Sequence, residues 1–458
     1  MRGCLFQRQS IVSMALAGLL VVQAGLPPVV LAQVPVSSEP SLQLPDLITE
    51  LKAKNPTLRE ARTRWEAAQA RIPLSKGLPA PRVGVEFEEI PKGGIKLNQA
   101  TIMYQLVQSL PFPGKLSARH RVAVAEAQVA AAAFKQIEWD LIAQLKAAYY
   151  DVWLLDREHE IAREQVLWVN QAATAAQARY ATGTGEQAEL LRLQAETLQA
   201  ANEVEVLGNR RAAASAHLNH LLTRPSHEPV GSPADIPLQP LTVTTDELWL
   251  IAWEHQPELL VMRYSLERAE AEWRLQKREL WPDLETMAEL RNPAMGPIGP
   301  WDLTLAIVLP FWFWTKQRYG VKAALYDKQS VEAAYEAMRL DVTRRIHEHW
   351  HQAVASYATA RLSRDGLIPL ARQAVESLIA GYQSGRASAT DLLEALRWLA
   401  EQQRTFAQQR IALEQHVVML EQAVGVPLRP EQETGDRRQG SKALCANFCN
   451  LSPVTCHL

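Results

Sequence analysis

RYATGTGEQAELL, residues Arg179–Leu191, breaks a long run of helix-forming residues with two glycines and then resumes it. GYQSGRASATDLL, Gly381–Leu393, does nearly the same later in the chain. Tyr180 pairs with Tyr382, Gly183 with Gly385, and Glu189-Leu190-Leu191 with Asp391-Leu392-Leu393. Glycine tolerates the positive φ of tight turns and helix C-caps. Each stretch therefore predicts a sharp reversal between two helices, with Thr184 or Ser388 placed to cap the returning one.

Working outward, the similarity extends well beyond the turns. NPTLREARTRWEAAQARI (Asn55–Ile72) parallels QPELLVMRYSLERAEAEWRL (Gln256–Leu275), with Pro56 opposite Pro257. QSLPFPGK (Gln108–Lys115) parallels IVLPFWFWTK (Ile307–Lys316). Each half reads as short helix, hairpin, long helix, turn, long helix. The repeat is too long for a solenoid and indicates a two-fold internal duplication.

Stepping back from Tyr180 by alternating fours and threes gives Ala176, Ala173, Val169, Val166, Ala162, His159, Leu155, Val152, Ala148, Leu145 and Leu141. Only His159 interrupts this apolar seam, and a 3.5-residue period held so long predicts coiled-coil packing. Lys115–Tyr180 contains no proline or glycine, so one helix of about 100 Å is expected. In the second half Leu392, Leu399, Phe406, Leu413 and Leu420 recur every seventh residue. Arg364, Asp365 and Gly366 fall where its seam should pass, which predicts a kink or register shift there.

Between the short and long helices the period changes to two. Trp301, Leu303, Leu305, Ile307 and Leu309 alternate with Asp302, Thr304, Ala306 and Val308. Leu284, Thr286, Ala288 and Leu290 oppose Asp283, Glu285, Met287, Glu289 and Arg291. In the first half Val83, Val85 and Phe87 alternate with Gly84, Glu86 and Glu88, and Ile102, Tyr104 and Leu106 with Thr101, Met103 and Gln105. Such hairpins suit a soluble core or the wall of a membrane barrel. Strand length, an export signal and the lack of an apolar run long enough for a spanning helix favour the barrel. Four strands cannot close one alone, so copies must combine.

Arg2 and Arg8 precede the apolar run Ile11–Val22, and VVLAQ offers cleavage after Ala32. Residues 1–32 read as a secretory signal. Without them the chain keeps 46 basic and 50 acidic side chains, a balance that excludes a basic nucleic-acid footprint. Cys445, Cys449 and Cys456 cluster in the last residues with spacings that match no zinc pattern. The expected divisions are a signal (1–32), an N-terminal segment with a short helix (33–78), hairpin one (79–114), helical hairpin one (115–222), a linker with a short helix (223–278), hairpin two (279–315), helical hairpin two (316–425) and a disordered tail (426–458).

In this order, the duplication, the LPFPGK and LPFW junctions and the YxxG…DLL turns resemble the TolC-like outer-membrane factors over about Leu44–Val426. The resemblance implies a mainly α chain with a small β part, built from duplicated coiled-coil hairpins and two β-hairpins. Three copies would form a twelve-stranded outer-membrane barrel on a periplasmic α-helical barrel. It implies an exit duct without catalysis or cofactor, served by a periplasmic adaptor and an inner-membrane pump of the resistance-nodulation-division type. LPFPGK is especially similar to the heavy-metal and cation branch. No cysteine follows the apolar signal core, so attachment to the outer-membrane lipid would rest on the barrel. A type I protein-secretion duct and a periplasmic coiled-coil scaffold are the alternatives.

By the same resemblance the tips Gly183, Thr184, Gly185, Gly385, Arg386 and Ala387 would meet the adaptor. Asp391 and Glu189 would narrow the pore entrance, where a ring of carboxylates selects cations, while Arg386 could tie the closed tip by an ion pair. The period-two pattern sends Glu86, Glu88, Asp283, Glu285 and Glu289 to the inward barrel face. In RIHEHWHQ, His347 and His351 share a helical face at metal-ligand spacing. An alignment of His347 with the seam residue Leu145 makes packing the simpler expectation, so no metal site is expected. No nucleophile–base set or phosphate-cradling loop occurs.

Overall fold

The computed structural model describes residues 42–88, 101–292, 299 and 301–429. The expected signal and the cysteine-bearing part of the tail lie outside the described residues. In chain order the elements are α1 (Leu44–Lys54), α2 (Pro56–Leu74), β1 (Arg82–Glu88), β2 (Thr101–Leu110), α3 (Lys115–Ala181) and α4 (Gln187–Leu221). The second half repeats them as α5 (Thr245–His255), α6 (Pro257–Arg278), β3 (Asp283–Asn292), β4 (Trp301–Val308), α7 (Arg318–Leu362), α8 (Ile368–Gln383) and α9 (Ala389–Val424). Among the described residues no helix is long and apolar enough to cross a membrane.

Local signals account for the repeated starts. Pro56 and Pro257 each occupy a first helical position, where the missing N–H costs nothing. Asn55 caps α2 by accepting from Thr57 N at 2.9 Å and Leu58 N at 3.2 Å. Its amide donates to Leu221 O at 3.0 Å, which fastens the start of α2 to the end of α4. Gln256 caps α6 in the same place of the second copy, and Thr244 with Glu247 forms a capping box on α5.

The 67-residue α3 is one unbroken helix. It packs on α2, α4, α6 and α9, while α7 packs on α6 and α9, and α8 on α9. The predicted seam closes over part of its run: Leu145 and Val152 are fully buried, and Ala148, Ala162, Val169 and Ala176 nearly so, whereas Leu155, His159, Val166 and Ala173 are half-buried and Tyr180 is exposed. One core joins Leu47, Leu145, Val152, Leu218 and Ile411. A second, nearer the turns, joins Val169, Leu193, Val375, Leu392 and Leu399. Each buried leucine contributes about 1.5–3 kcal/mol relative to an exposed one, so these seams, more than intrinsic propensity, hold the long helices.

The second copy differs by one residue, and the reason is visible. Leu141, Leu145 and Val152 correspond in burial to Val342, Ile346 and Ala353, each pair 201 residues apart. Tyr180 and Tyr382 are 202 apart. Between them Ser363–Leu367 forms a π-helical turn, which takes in one extra residue. The buried pair Ala162 and Val169 is seven apart in the first copy, whereas Ser363 and Ala371 are eight apart in the second. The expected register shift at Arg364–Gly366 is thus a π turn. It also corrects the alignment of His347: Ile346 takes the place of Leu145, and His347 is exposed.

The four strands form one antiparallel sheet in the order β1-β2-β3-β4, so the two hairpins join through β2 and β3. The register sets Gly84 opposite Gln105, Gln105 opposite Glu289, and Glu289 opposite Asp302. Directly opposite residues share a face. Glu86, Glu88, Asp283, Glu285 and Glu289 therefore all lie on one face, with Thr101, Met103, Gln105, Asp302 and Thr304. The other face carries Val83, Val85, Phe87, Ile102, Tyr104, Leu106, Leu284, Leu290, Leu303, Leu305 and Ile307. β1 and β4 each have one hydrogen-bonded neighbour. All eight residues of β4 are exposed.

Candidate functional site

The expected tip, entrance and barrel residues fall in two regions at opposite ends of the long helices. At the turns, the backbone repeats bond for bond. Arg179 O accepts from Thr184 N at 2.9 Å and Gly185 N at 3.1 Å; Gly381 O accepts from Arg386 N at 2.8 Å and Ala387 N at 3.2 Å. Gly183 and Gly385 sit at φ +70° and +74°, where a side chain would be strained.

One feature of the repeat is complementary rather than identical. A Cβ on Gly185 would lie 3.0 Å from Arg179 Cβ, and one on Gly381 would lie 3.1 Å from Ala387 Cβ. Arg179 corresponds to Gly381 and Gly185 to Ala387. Each turn has room for one side chain at this crossing, and the two copies place it on opposite sides.

Ser388 Oγ accepts from Asp391 N at 3.1 Å and caps α9. Thr184 does not cap α4: its hydroxyl bonds Arg179 O and Thr182 Oγ1 at 3.2 and 3.0 Å, and Glu186, in the capping position just before that helix, makes no side-chain cap bond. Arg386 donates to Ser384 Oγ at 3.0 Å, and no ion pair of Arg386 occurs among the described residues. Asp391 is exposed. Glu189 is half-buried and engaged, its Oε1 accepting from Ala389 N at 3.2 Å.

That bond belongs to a set tying the α3–α4 turn to the α8–α9 turn. The Arg179 guanidinium stands 4.9 Å over the Tyr382 ring and donates to Tyr382 O at 3.4 Å. Arg192 donates to Thr390 Oγ1 at 3.1 Å, and Arg397 grips Glu196 through two bonds of 3.1 and 2.6 Å. The Tyr382 hydroxyl is buried without a hydrogen-bond partner among the described residues. Burial, and then the nearby Glu189 carboxylate, push its pKa up to about 12. Sequence reading missed Arg179, Arg192, Glu196 and Arg397 as cross-links. The loss of the arginine at Gly381 was the only visible hint, because contacts between hairpins have no local period.

At the sheet, the polar-face acids differ in their commitments. Asp283 accepts from Phe112 N at 2.7 Å and pairs with the buried Lys115 at 2.9 Å, which also meets Glu279 at 3.2 Å. It holds the passage from β2 into α3. Glu285 pairs with Arg82 at 3.0 Å, and Glu86 accepts from the Gln105 amide. Glu88 and Glu289 share the face without a side-chain ion pair among the described residues. The apolar face is bounded by exposed aromatics, Trp301 at one end of β4 and Phe311 and Trp312 beyond the other.

His347 and His351 are both exposed on α7. Among the described residues no group of three or more His, Cys, Asp or Glu is arranged to hold a metal ion.

The family model described as "Outer membrane efflux protein" matches residues 47–224 and 251–426, one segment for each copy of the duplication. The cobalt-zinc-cadmium resistance protein CzcC of Cupriavidus metallidurans is 23% identical over 353 residues, covering 75% of this chain and 81% of that protein. The outer membrane protein VceC of Vibrio cholerae superposes with a TM-score of 0.73 at 16% identity, over 84% of this chain and 97% of that one. CusC, solved in a study of transmembrane channel formation, gives 0.71 at 17% identity over 84% and 92%. With both halves matched, and a fold shared with these channels, the chain belongs to the outer membrane efflux protein family and is a TolC-like protein of the outer membrane that extends into the periplasm.

Proposed function

We propose that three copies of the chain close a twelve-stranded barrel over a helical tunnel, forming the passive exit duct of a tripartite efflux system. The observation that carries this reading is the four-stranded sheet, polar on one face and apolar on the other, with β1 and β4 each lacking an outer partner among the described residues. In hydrocarbon an unpaired edge leaves several kcal/mol of unmet hydrogen bonding per group. Copies must then pair edge to edge. Two would make a barrel of about eight strands, whose interior side chains fill; three make a barrel with a lumen.

The polar face then lines the lumen, with Glu88 and Glu289 contributing the least committed acids and Glu86, Asp283 and Glu285 the anchored ones. The turns at Gly183-Thr184-Gly185 and Gly385-Arg386-Ala387 meet a periplasmic adaptor. The adaptor couples the duct to an inner-membrane pump of the resistance-nodulation-division type. Asp391, exposed in the first turn of α9, rings the entrance three-fold and favours cations, while Glu189 serves as a tie between hairpins. The name of CzcC and the acidic lumen together support divalent metal cations as cargo. No step in this function needs a catalytic residue.

The test is assembly in the outer membrane. Heat-sensitive trimers are expected in outer-membrane fractions, and Leu303→Asp with Leu305→Asp should abolish them. A monomeric, freely soluble periplasmic protein would overturn the proposal. For cargo, loss of the gene should sensitise cells to cobalt, zinc or cadmium; an effect confined to drugs or to a secreted protein would redirect the assignment.

A further inference from the structure

Within one chain the two hairpins meet at β2 and β3, and the connectors next to those strands are joined by charge and stacking. Phe112 stacks on Trp281, with ring centroids 5.0 Å apart and planes inclined by 14°. Buried Lys115 pairs with Asp283 at 2.9 Å and Glu279 at 3.2 Å, and Arg119 pairs with Glu279 at 3.1 Å. At the outer edges of the sheet, the end of β4 leading into α7 and the start of β1 leaving α2 are the duplicates of this junction.

Their chemistry has changed. At the offset of 201 residues that relates Pro56 to Pro257, Lys115 corresponds to Lys316, but Glu279 corresponds to Leu78, Trp281 to Ala80 and Asp283 to Arg82. The carboxylates that hold Lys115 are therefore missing from the positions that would hold Lys316. Arg82 is already paired with Glu285 of its own chain at 3.0 Å. What the outer edges offer is apolar and uncovered. Leu74 is 75% exposed and Leu78 54%, while Phe311 and Trp312 are each 69% exposed. Ala118 and Ala125 of α3 are buried, yet their counterparts on α7, Tyr319 and Tyr326, are exposed. Both tyrosines lie about 180° around α7 from Lys328, which stands 5.7 Å from the Trp273 ring of α6. This aromatic side of α7 thus faces away from α6.

We propose that Phe311, Trp312, Tyr319 and Tyr326 of one copy close over Leu74 and Leu78 of the next, an apolar clasp beside the seam where β4 meets β1. The clasp rests on the reading that copies pair edge to edge. A second copy is the occupant because such pairing sets these two connectors side by side, just as Leu110 opposite Leu284 accompanies Phe112 on Trp281 within the chain. Aromatic side chains bury large areas without needing a charged partner. The ring of a trimer would then alternate three charged junctions, inside chains, with three apolar ones, between them.

The test uses full-length protein in outer-membrane fractions, with Cys445, Cys449 and Cys456 replaced by serine. Leu74→Cys or Leu78→Cys is combined with Phe311→Cys or Trp312→Cys and oxidised. Covalent dimers and trimers on non-reducing denaturing gels are expected from at least one of the four pairs. Phe112→Cys with Trp281→Cys, the junction inside a chain, should remain monomeric on the same gels. Phe311→Ala with Trp312→Ala should lower the temperature at which trimers dissociate by several degrees, in low and high salt alike. Trimers that yield none of the four links overturn the clasp and leave edge pairing standing. Quenching by brominated lipid that disappears in Trp312→Phe does the same, because it assigns these side chains to the bilayer. If the cysteine variants do not assemble, an unchanged dissociation temperature of the alanine variant overturns the clasp. Wild-type protein that forms no trimer overturns the edge-to-edge reading itself.

Discussion

Glu189 lies in the first helical hairpin, yet its carboxylate accepts a hydrogen bond at 3.2 Å from the backbone N–H of Ala389, which opens the last helix of the second. A charge from one hairpin thus caps a helix of the other. Its neighbours in this contact are Arg179 over Tyr382 and Arg192 on Thr390. These bonds tie the two turns to each other.

Glu189→Ala removes a charged cap of about 0.5–2 kcal/mol and frees the α8–α9 turn. Longer open times in planar-bilayer recordings are expected. Asp391→Asn should leave open times alone and lower cation over anion permeability. If both variants behave alike, the separation of tie and entrance is wrong.

Tyr382 distinguishes packing from polarity. Its ring is buried while its hydroxyl lacks a partner, so Tyr382→Phe should be neutral or slightly stabilising in thermal melts. Tyr382→Ala should cost about 3–5 kcal/mol. Because the folded pKa is raised from 10.0 to about 12, the stability linked to the neutral phenol is complete below pH 10. It is lost progressively as pH rises towards 12. The phenylalanine variant should lack that part of the alkaline decline.

Gly185→Ala puts a Cβ 3.0 Å from Arg179 Cβ and 3.1 Å from the backbone of Tyr180. The first turn must open, and cross-linking to the adaptor should weaken. Ala387→Gly, the reverse change in the other copy, meets no clash and should cost only about 0.5–1 kcal/mol in chain entropy. Combining Gly185→Ala with Arg179→Gly recreates the second copy's arrangement and should restore the turn's stability but not its grip on Tyr382.

Removing Asp365 from the π turn should be tolerated, since the turn can revert to α-helix while the seams on both sides keep their register. Removing Thr359, a few residues earlier and outside the turn, rotates the seam by about 100° per residue unless the π turn absorbs it. A lower melting temperature is expected there. Equal losses from the two deletions would show that the π turn is not the site of slack.

Lys146 and Glu421 form a buried pair at 2.7 Å between α3 and α9. Glu421 also accepts from Leu428 N at 3.0 Å, drawing in the chain beyond α9. Lys146→Met strands a buried carboxylate and should cost about 3–5 kcal/mol. Adding Glu421→Leu should recover much of that loss in chemical denaturation, because the unpaired charge is gone.

The duplication, the long helices, the turns and the two-faced strands were legible because each rests on a local period or a local φ requirement. Val152, Leu145 and Leu392 announce their burial by spacing alone, and Gly183 and Gly385 announce the reversals. The π turn was visible only as a flaw in the second seam. Its consequence, that His349 rather than His347 faces α9, required knowing that one extra residue is taken up at Ser363–Leu367.

The amino-acid sequence by itself determined which segments are helical, where they reverse and which face of each strand is polar, since these follow from side-chain periodicity and backbone sterics within a few residues. Only the tertiary structure decided who meets whom across the hairpins. It joined Glu189 to Ala389, Arg179 to Tyr382, Lys115 to Asp283 and His349 to His416. Those partners lie far apart along the chain. Their meeting is set by how the helices pack in register, a sum of many weak contacts that no single stretch of residues encodes.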